Sequence, residues 1–185
     1  MRDVVGGVMD RDDADGGVSR AGLLAALPRL RRFCHAMAGN AVDGDDLMQA
    51  TVERALSRSH QFDPQTRLDS WMFRIAQNLH IDEKRRLRRR GVAVPADELV
   101  GIPGEDGRVL VENRSDLARA QHALQQVPED QRAVFALVVV EGLGYREAAE
   151  ALGIPVGTVM SRLARARARI AEALGRGATR EGVPA

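Results

Sequence analysis

One stretch of the sequence, residues 145–163, has the residue types and spacing of a DNA-reading motif. The pattern predicts a short helix that ends at Gly153, a tight turn, and a longer helix opened by Pro155. Ala149 allows the two helices to approach closely. This arrangement predicts a helix-turn-helix, whose second helix can enter the major groove. Its polar side chains are candidates for base and phosphate contacts: Thr158, Ser161, Arg162, Arg165 and Arg167. An ordinary helical hairpin with a solvated arginine face is the alternative.

A basic run occupies the end of a predicted long helix from about Leu68 to Arg90. Six of the seven positions 84–90 are basic: Lys84, Arg85, Arg86, Arg88, Arg89 and Arg90. No apolar face remains there to pack against, so this end is either solvated or lies on an anionic partner. Arginine binds phosphate and guanine bidentately, which suits a nucleic-acid partner. Lys84 is the only lysine among the 27 basic residues of the sequence, and a GC-rich genome would explain this preference for arginine equally well.

Other catalytic or ligand-binding patterns are missing from the sequence. The single cysteine, Cys34, excludes an internal disulfide and a cysteine-based zinc site, and its place on an apolar helix face predicts a packed thiol. The four histidines show no metal-ligand spacing. We find neither a glycine-rich phosphate loop nor a nucleophile elbow. We therefore expect no cofactor, no metal and no enzymatic activity.

Helical periodicity dominates the first half of the chain. Apolar side chains from Leu23 to Met37 predict a first helix, with a break or kink near Leu27 because Pro28 follows. A second helix, from about Asp43 to Arg58, has an acidic first turn that complements the helix dipole. A loop at 60–67 precedes the long helix, in which the spacing places Trp71 on the apolar stripe and favours a packing role for it.

The second half is also helical, and an acidic connector separates it from the first. Residues 91–116 carry six acidic and two basic side chains, net −4, and residues 91–114 lack helical periodicity. Ser115 is a candidate N-cap, Pro128 opens the next helix, and the last helix extends to about Leu174. The predicted organisation is an acidic tail (1–18), a helical domain (19–90), a flexible linker (91–114), a second helical domain (115–175) and a flexible tail (176–185). The fold class is all-α.

The cellular location is predicted from two features that the sequence lacks. The sequence has no run of about 18 apolar residues, so we expect no transmembrane helix. The first 20 residues include five aspartates and no apolar core, which excludes a signal peptide. A cytoplasmic protein is the expectation.

At this point the sequence resembles a known family. Residues 143–149 and 156–167 look like region 4 of the extracytoplasmic-function (ECF) sigma factors, and residues 127–135 resemble the start of that region. Residues 44–51 resemble the core-binding motif of region 2, and residues 62–82 resemble its promoter-melting and −10-reading part. The resemblance covers about 20–90 and 115–175, in the family's order. It implies two small helical domains, sigma region 2 and sigma region 4, joined by a flexible linker.

The resemblance also implies a task for each element. The helix with Asp45, Asp46, Leu47 and Gln49 would bind the clamp helices of the β′ subunit of core RNA polymerase. Asn78 and Asp82 match positions near the melted −10 strand, the loop 61–69 matches the part that captures a flipped base, and the basic run would lie against duplex phosphates. The linker would pass near the polymerase active site. The family further implies a cognate anti-sigma factor that masks the polymerase-binding faces.

Two positions depart from the family pattern. Met160 stands where relatives often have lysine or arginine, and Ala164 stands where they often have an aromatic residue or histidine. Both departures remove expected −35 contacts and leave the −35 sequence open. Two other classes remain as alternatives. One is a stand-alone helix-turn-helix regulator, which the first block disfavours. The other is a protein-binding adaptor that copies a sigma domain, which the presence of both DNA-facing blocks disfavours.

Overall fold

The computed structural model describes residues 18–90 and 109–180 of the chain, and the side chains of 109–116 and 176–180 are outside that description. All regular elements in these two ranges are helical. The helices are α1 (Arg20–Ala38), α2 (Ala41–Ser57), α3 (Leu68–Arg89), α4 (Val109–Gln125), α5 (Glu129–Phe135), α6 (Tyr145–Leu152) and α7 (Val156–Arg180). A 3₁₀ turn (Ser59–Gln61) follows α2, and a π-helical turn (Ala136–Val140) extends α5. We call residues 18–90 the N-terminal block and 109–180 the C-terminal block.

Helix caps and one aromatic pair define the N-terminal block. The Ser19 side chain accepts a hydrogen bond from the Gly22 amide at 3.0 Å and begins α1, while Asn40 caps α2 through the Asp43 amide at 2.8 Å. Gly39 ends α1 in the left-handed conformation, at φ 97°. The rings of Phe33 and Phe73 lie 5.0 Å apart and bring α1 against α3. Both side chains are fully buried.

The predicted break at Pro28 is wrong. Helix α1 continues through this residue without interruption. Proline removes one amide donor, which leaves the Leu24 carbonyl without its intrahelical partner. Pro28 is exposed and Leu24 is 59% exposed, so this carbonyl lies on the side where water can bind it. The helix tolerates the loss of this hydrogen bond because water can bind the Leu24 carbonyl in its place.

Three predicted boundaries in the C-terminal block are displaced. Helix α4 begins at Val109, so Ser115 lies inside the helix and residues 109–114 of the predicted linker are helical. Helix α7 extends to Arg180, beyond the predicted end at Leu174. Gly153 does end α6 as predicted, in the left-handed conformation at φ 65°. The predicted tail 1–18, most of the linker (91–108) and residues 181–185 lie outside the described residues, Val18 excepted.

The two blocks pack against each other and share one hydrophobic core. Helix α1 contacts α4, α5 and the π-helical turn, and α3 contacts α6. The buried cluster runs without interruption from Leu30 and Phe73 to Leu137 and Leu152. No helix in the described part of the chain combines the length and the apolar character that crossing a membrane requires. The sequence predicted both helical blocks but gave no sign of the contact between them.

Candidate nucleic-acid interface

A groove between α2 and α3 holds the two residues predicted to lie near the −10 strand. Asn78 and Asp82 are exposed one turn apart on α3, and they line a cavity of about 380 Å³. Three arginines line the same cavity: Arg54, Arg58 and Arg85. Their guanidinium groups give the groove a positive rim suited to a phosphate backbone. Sequence reasoning missed Arg54 and Arg58, although Arg58 caps the end of α2 four residues after Arg54, a spacing that places both on one face.

The rest of the basic run is partly engaged within the protein. Arg86 pairs with Glu83 at 2.7 Å on the same helix, and Arg88 reaches Glu129 of the C-terminal block at 3.2 Å. Both arginines are more than half exposed, so these pairs are weak and exchangeable. Lys84 is half-buried beside a different cavity, lined also by His80, Asp43 and Glu83. Of the predicted basic contacts, Arg85 alone lines the groove with Asn78 and Asp82.

His80 is the most perturbed histidine of the described residues. It is only 6% exposed, and its Nε2 atom has no hydrogen-bond partner. The pKa of His80 is lowered to about 4, chiefly by burial and also by the positive charges of Arg132 and Lys84, against the opposing effect of Asp43. The imidazole is therefore neutral at pH 7. The described residues contain no group of three His, Cys, Asp or Glu placed to hold a metal ion.

Helix α2 presents an exposed acidic surface where the polymerase contact is predicted. Asp45 accepts hydrogen bonds from Arg31 at 3.0 Å and from His35 at 2.8 Å, and these bonds lower its pKa to about 2. Asp46 and Gln49 are exposed beside it. The three side chains line an open groove with apolar atoms of Leu27, Pro28 and Met48. The surface thus joins negative charge to apolar area, as expected for a basic helical partner.

Leu47 is placed differently from its three predicted partners. It is 9% exposed and belongs to the hydrophobic core of the block. Its neighbour Thr51 is fully buried and donates a hydrogen bond to the Leu47 carbonyl at 2.7 Å. Leu47 therefore positions the acidic face by packing and does not contribute exposed surface to it.

Helix α7 presents most of the predicted −35 contacts. Ser161, Arg165 and Arg167 are exposed, whereas Val159, Leu163 and Ala166 face the core with at most 2% exposure. Thr158 is half-buried, and its carbonyl accepts a hydrogen bond from Ser161 Oγ. Arg162 differs from the rest, because it pairs with Asp130 of α5 at 3.1 Å and its side chain is 23% exposed. This arginine links α7 to α5, and it would have to leave Asp130 in order to reach DNA.

The loop 61–69 faces the helix-turn-helix across a cleft of about 1180 Å³. Trp71 lies at its edge, half-buried, with its ring 5.3 Å from that of Phe62. Arg67 bridges the cleft to Glu147 of α6 at 2.8 Å. Arg74 donates to the carbonyl of Ala151 at 3.0 Å and to that of Glu150, at the end of α6. The predicted base-capturing loop is thus held against the other block.

Glu141 forms the most buried ion-pair cluster between the blocks. Its side chain is inaccessible to solvent and pairs with Arg29 at 3.3 Å and Arg32 at 2.8 Å, both on α1. A second buried contact is made by Arg132 of α5, which is 6% exposed and donates to the Met37 carbonyl at 2.7 Å. Burial lowers the pKa of Arg132. Both contacts satisfy polar groups that would otherwise be buried without partners.

Cys34 is a packed core thiol, as the sequence predicted. It is fully buried on α1. Burial raises its pKa to about 12, although the neighbouring Thr51 hydroxyl acts in the opposite direction. A thiol with so high a pKa forms almost no thiolate at neutral pH, so it is a poor nucleophile.

Comparisons with known proteins find sigma-factor domains in both blocks. Residues 117–175 match the family model described as "Sigma-70, region 4", and residues 23–77 match "Sigma2 domain of PhyR". The chain is 36% identical over 155 residues to the ECF RNA polymerase sigma factor EcfG of Rhodopseudomonas palustris (strain TIE-1), covering 84% of both chains. It is 32% identical over 152 residues to SigW of Bacillus subtilis (strain 168), covering 75% of this chain and 79% of SigW.

Solved structures give the same result. The sigma factor RpoE of Bartonella quintana, solved in complex with the anti-sigma factor NepR, superposes with a TM-score of 0.69 at 29% identity, covering 84% of this chain and 96% of RpoE. CnrH, solved with the cytosolic domain of CnrY, has a TM-score of 0.57 at 22% identity, covering 88% of this chain and 99% of CnrH, and so supports the fold alone. With relatives this similar along most of its length, the chain belongs to the ECF sigma factors of RNA polymerase.

Proposed function

We propose that the chain binds core RNA polymerase through α2, directs it to promoters through α3 and α7, and assists strand opening at the −10 element. The polymerase supplies the reaction chemistry. The observation that carries this proposal is the presence of two DNA-facing surfaces on one chain. One is the arginine-rimmed groove around Asn78 and Asp82, and the other is the exposed face of α7. A regulator that binds only duplex DNA does not need the groove around Asn78 and Asp82, which is suited to an unpaired strand.

The polymerase contact is assigned to Asp45, Asp46 and Gln49. Their groove combines carboxylates with apolar side chains and faces solvent. Asp46 is exposed, so it can meet a partner's cation without breaking an internal bond. Asp45 would have to exchange Arg31 and His35 for that partner, or bind it together with them.

Strand opening is assigned to the groove between α2 and α3. Asn78 and Asp82 offer hydrogen-bonding groups to an unpaired base, while Arg54, Arg58 and Arg85 bind its phosphates. The loop 61–69 would receive a flipped base, and the half-buried Trp71 and Phe62 at its edge offer aromatic surface. Flipping costs a few kcal/mol, which such contacts can offset.

Promoter binding requires the two blocks to separate. The centres of a −35 and a −10 element lie about 25 base pairs apart, or roughly 85 Å along B-DNA at 3.4 Å per pair. A compact body of this size has a radius of gyration of roughly 15 Å. The packed arrangement therefore cannot reach both elements at once. We assign it to a resting form that opens on the polymerase.

An anti-sigma factor is the partner we propose for this resting form. The RpoE structure that superposes on most of this chain was solved in complex with the anti-sigma factor NepR. A protein that binds the acidic groove of α2 and holds the blocks together would block the polymerase contact. Its presence would also keep the loop 61–69 against α6.

Holoenzyme assembly and promoter opening test these assignments separately. Asp46→Arg should weaken binding to core polymerase on the order of tenfold, whereas Glu172→Arg, at an exposed acidic residue of α7, should not. Asn78→Ala should leave assembly intact and slow permanganate-detected strand opening. Arg20→Gln is the charge-matched control for Arg85→Gln in promoter binding. Unchanged assembly with Asp46→Arg, or unchanged opening with Asn78→Ala, would contradict the corresponding assignment.

One observation favours a second candidate, the adaptor. The N-terminal block matches the model of the PhyR sigma2 domain, and PhyR is known from a complex in which it is an anti-anti-sigma factor bound to NepR. An adaptor of that kind would bind an anti-sigma factor but give no transcription with core polymerase. Transcription from specific start sites would exclude it as the main function.

A further inference from the structure

The exposed face of the recognition helix is mostly apolar where it should read bases. Met160 is 53% exposed and Val156, one turn before it, is 38% exposed, so both side chains lie on the same face of α7. Ala164, one turn after Met160, is also exposed. The hydrophobic core is filled from the adjoining face of α7, by Val159 and Leu163 with at most 2% exposure.

Gly157 leaves open space on the same face. A Cβ atom placed at Gly157 would meet nothing within 4 Å, so packing within the protein does not require a glycine there. Gly157 therefore leaves room for close approach by another molecule beside two exposed apolar side chains.

The occupant of this face follows from the charges around it. Arg167 is exposed two turns after Met160 on the same face of α7, so a side chain able to bind phosphate adjoins the apolar residues. The one charged residue among 156–164 is Arg162, and it is paired with Asp130. Duplex DNA is the partner that supplies phosphates for Arg167 and base edges for the apolar residues.

We propose that Met160, with Val156 beside it, reads the −35 element through the 5-methyl groups of thymine. The inference rests on the proposed function and adds the chemistry of the contact. Thymine is the one base that presents a methyl group in the major groove, and apolar side chains recognise it there. Methionine is flexible and polarisable, which lets it cover such a methyl group closely. The guanine-reading contact of a lysine or arginine is absent at this position.

Replacing thymine by deoxyuridine removes only the methyl group and retains every hydrogen-bonding group of the base. Promoter binding by the reconstituted holoenzyme is measured on templates in which each thymine of the −35 element is replaced in turn, on either strand. At one or two of these positions we expect binding to weaken about fourfold, the value for one methyl group removed from an apolar contact. With Met160→Ala, the same replacement should have no further effect.

Two further variants separate methyl reading from general weakening. Met160→Leu, which keeps apolar contact, should retain the sensitivity to deoxyuridine. Arg167→Gln should weaken thymine and deoxyuridine templates by the same factor, because it binds phosphate. Because Met160 is exposed, we expect its variants to fold, and circular dichroism checks this for each variant.

Two negative results have different meanings. If the holoenzyme initiates normally and no deoxyuridine replacement in the −35 element weakens binding, the methyl contact is overturned and the proposed function stands. If no template supports initiation that depends on this chain, the proposed function falls, and the −35 reading falls with it. Equal sensitivity to deoxyuridine in Met160→Ala and in the unmodified protein also overturns the assignment to Met160.

Discussion

The Glu141 ion-pair cluster gives a direct test of how the two blocks are held together. Glu141 lies in the C-terminal block, and its two partners, Arg29 and Arg32, lie on α1. Glu141→Gln keeps the shape of the side chain but removes its charge and places an amide NH₂ group against guanidinium donors. We expect this variant to shift the chain towards an open arrangement, with both blocks still folded.

The magnitude follows from what each partner loses. The Glu141 carboxylate accepts from Arg29 at 3.3 Å and from two nitrogens of Arg32 at 3.0 and 2.8 Å. Neither arginine is stranded by the substitution, because Arg29 keeps its pair with Asp69 and Arg32 is 53% exposed. The cost is therefore that of charged hydrogen bonds, about 2 kcal/mol, and not that of a stranded buried charge. This lowers the ratio of closed to open chains about 30-fold.

Distances between the blocks measure that ratio. Exposed cysteines introduced by Ser57→Cys on α2 and Ala168→Cys on α7 can carry donor and acceptor dyes, while the buried Cys34 remains unlabelled. Single-molecule energy transfer should show a larger low-efficiency population in Glu141→Gln. Glu83→Gln is the control, because Glu83 pairs with Arg86 within one helix.

The reasoning is refuted if the Glu141→Gln and Glu83→Gln chains have the same distance distribution. A Glu141→Gln chain that has lost its helical circular dichroism would likewise show that Glu141 supports folding of its own block. If most parent chains are closed, Glu141→Gln should also bind core polymerase more tightly than the parent, by at most the same 30-fold factor.

Three further predictions concern single groups. The pKa of His80 falls from 6.5 to about 4 on folding, so the neutral imidazole contributes fully to stability above pH 6.5, and this contribution is lost as the pH falls towards 4. The contribution is about 3 kcal/mol. The unfolding free energy of His80→Gln, measured by denaturation, should therefore depend less on pH in this window than that of the parent or of His122→Gln. A parent and a His80→Gln chain with parallel pH profiles would contradict the neutral buried imidazole. Cys34 should resist iodoacetamide at pH 8 in the native protein and react in urea, since its pKa is raised to about 12; rapid native alkylation would disprove this. Arg85→Gln should reduce the salt slope of holoenzyme binding to promoter DNA by about 0.9, the value for one phosphate contact, and an unchanged slope would remove Arg85 from the interface.

Much of the fold is local and could be predicted from the sequence. The caps and turns at Gly39 and Gly153 are set by glycine's access to the left-handed conformation, at φ 97° and 65°. The core face of α7 follows from the spacing of Val159, Leu163 and Ala166. Pro28 misled the prediction because its effect depends on which side of the helix loses the hydrogen bond, and a linear pattern of residues contains no such information.

The site was less predictable, because several roles depend on partners distant in sequence. Arg162 has the type and position of a DNA contact, but Asp130 of α5 engages it. Leu47 belongs to the core, whereas its neighbours Asp45 and Asp46 face solvent. The contact of Glu141 with α1 joins residues more than 100 positions apart, and no periodicity reports such a pair.

Transcription in vitro tests the central claim most directly. Core RNA polymerase is incubated with a pool of genomic promoter fragments, with and without this chain, and the 5′ ends of the transcripts are mapped. We predict new start sites that depend on the chain and share −35 and −10 elements upstream. The absence of new start sites, with folded, monomeric protein free of inhibitor, would contradict the account. Tight promoter binding without polymerase would identify a stand-alone regulator instead.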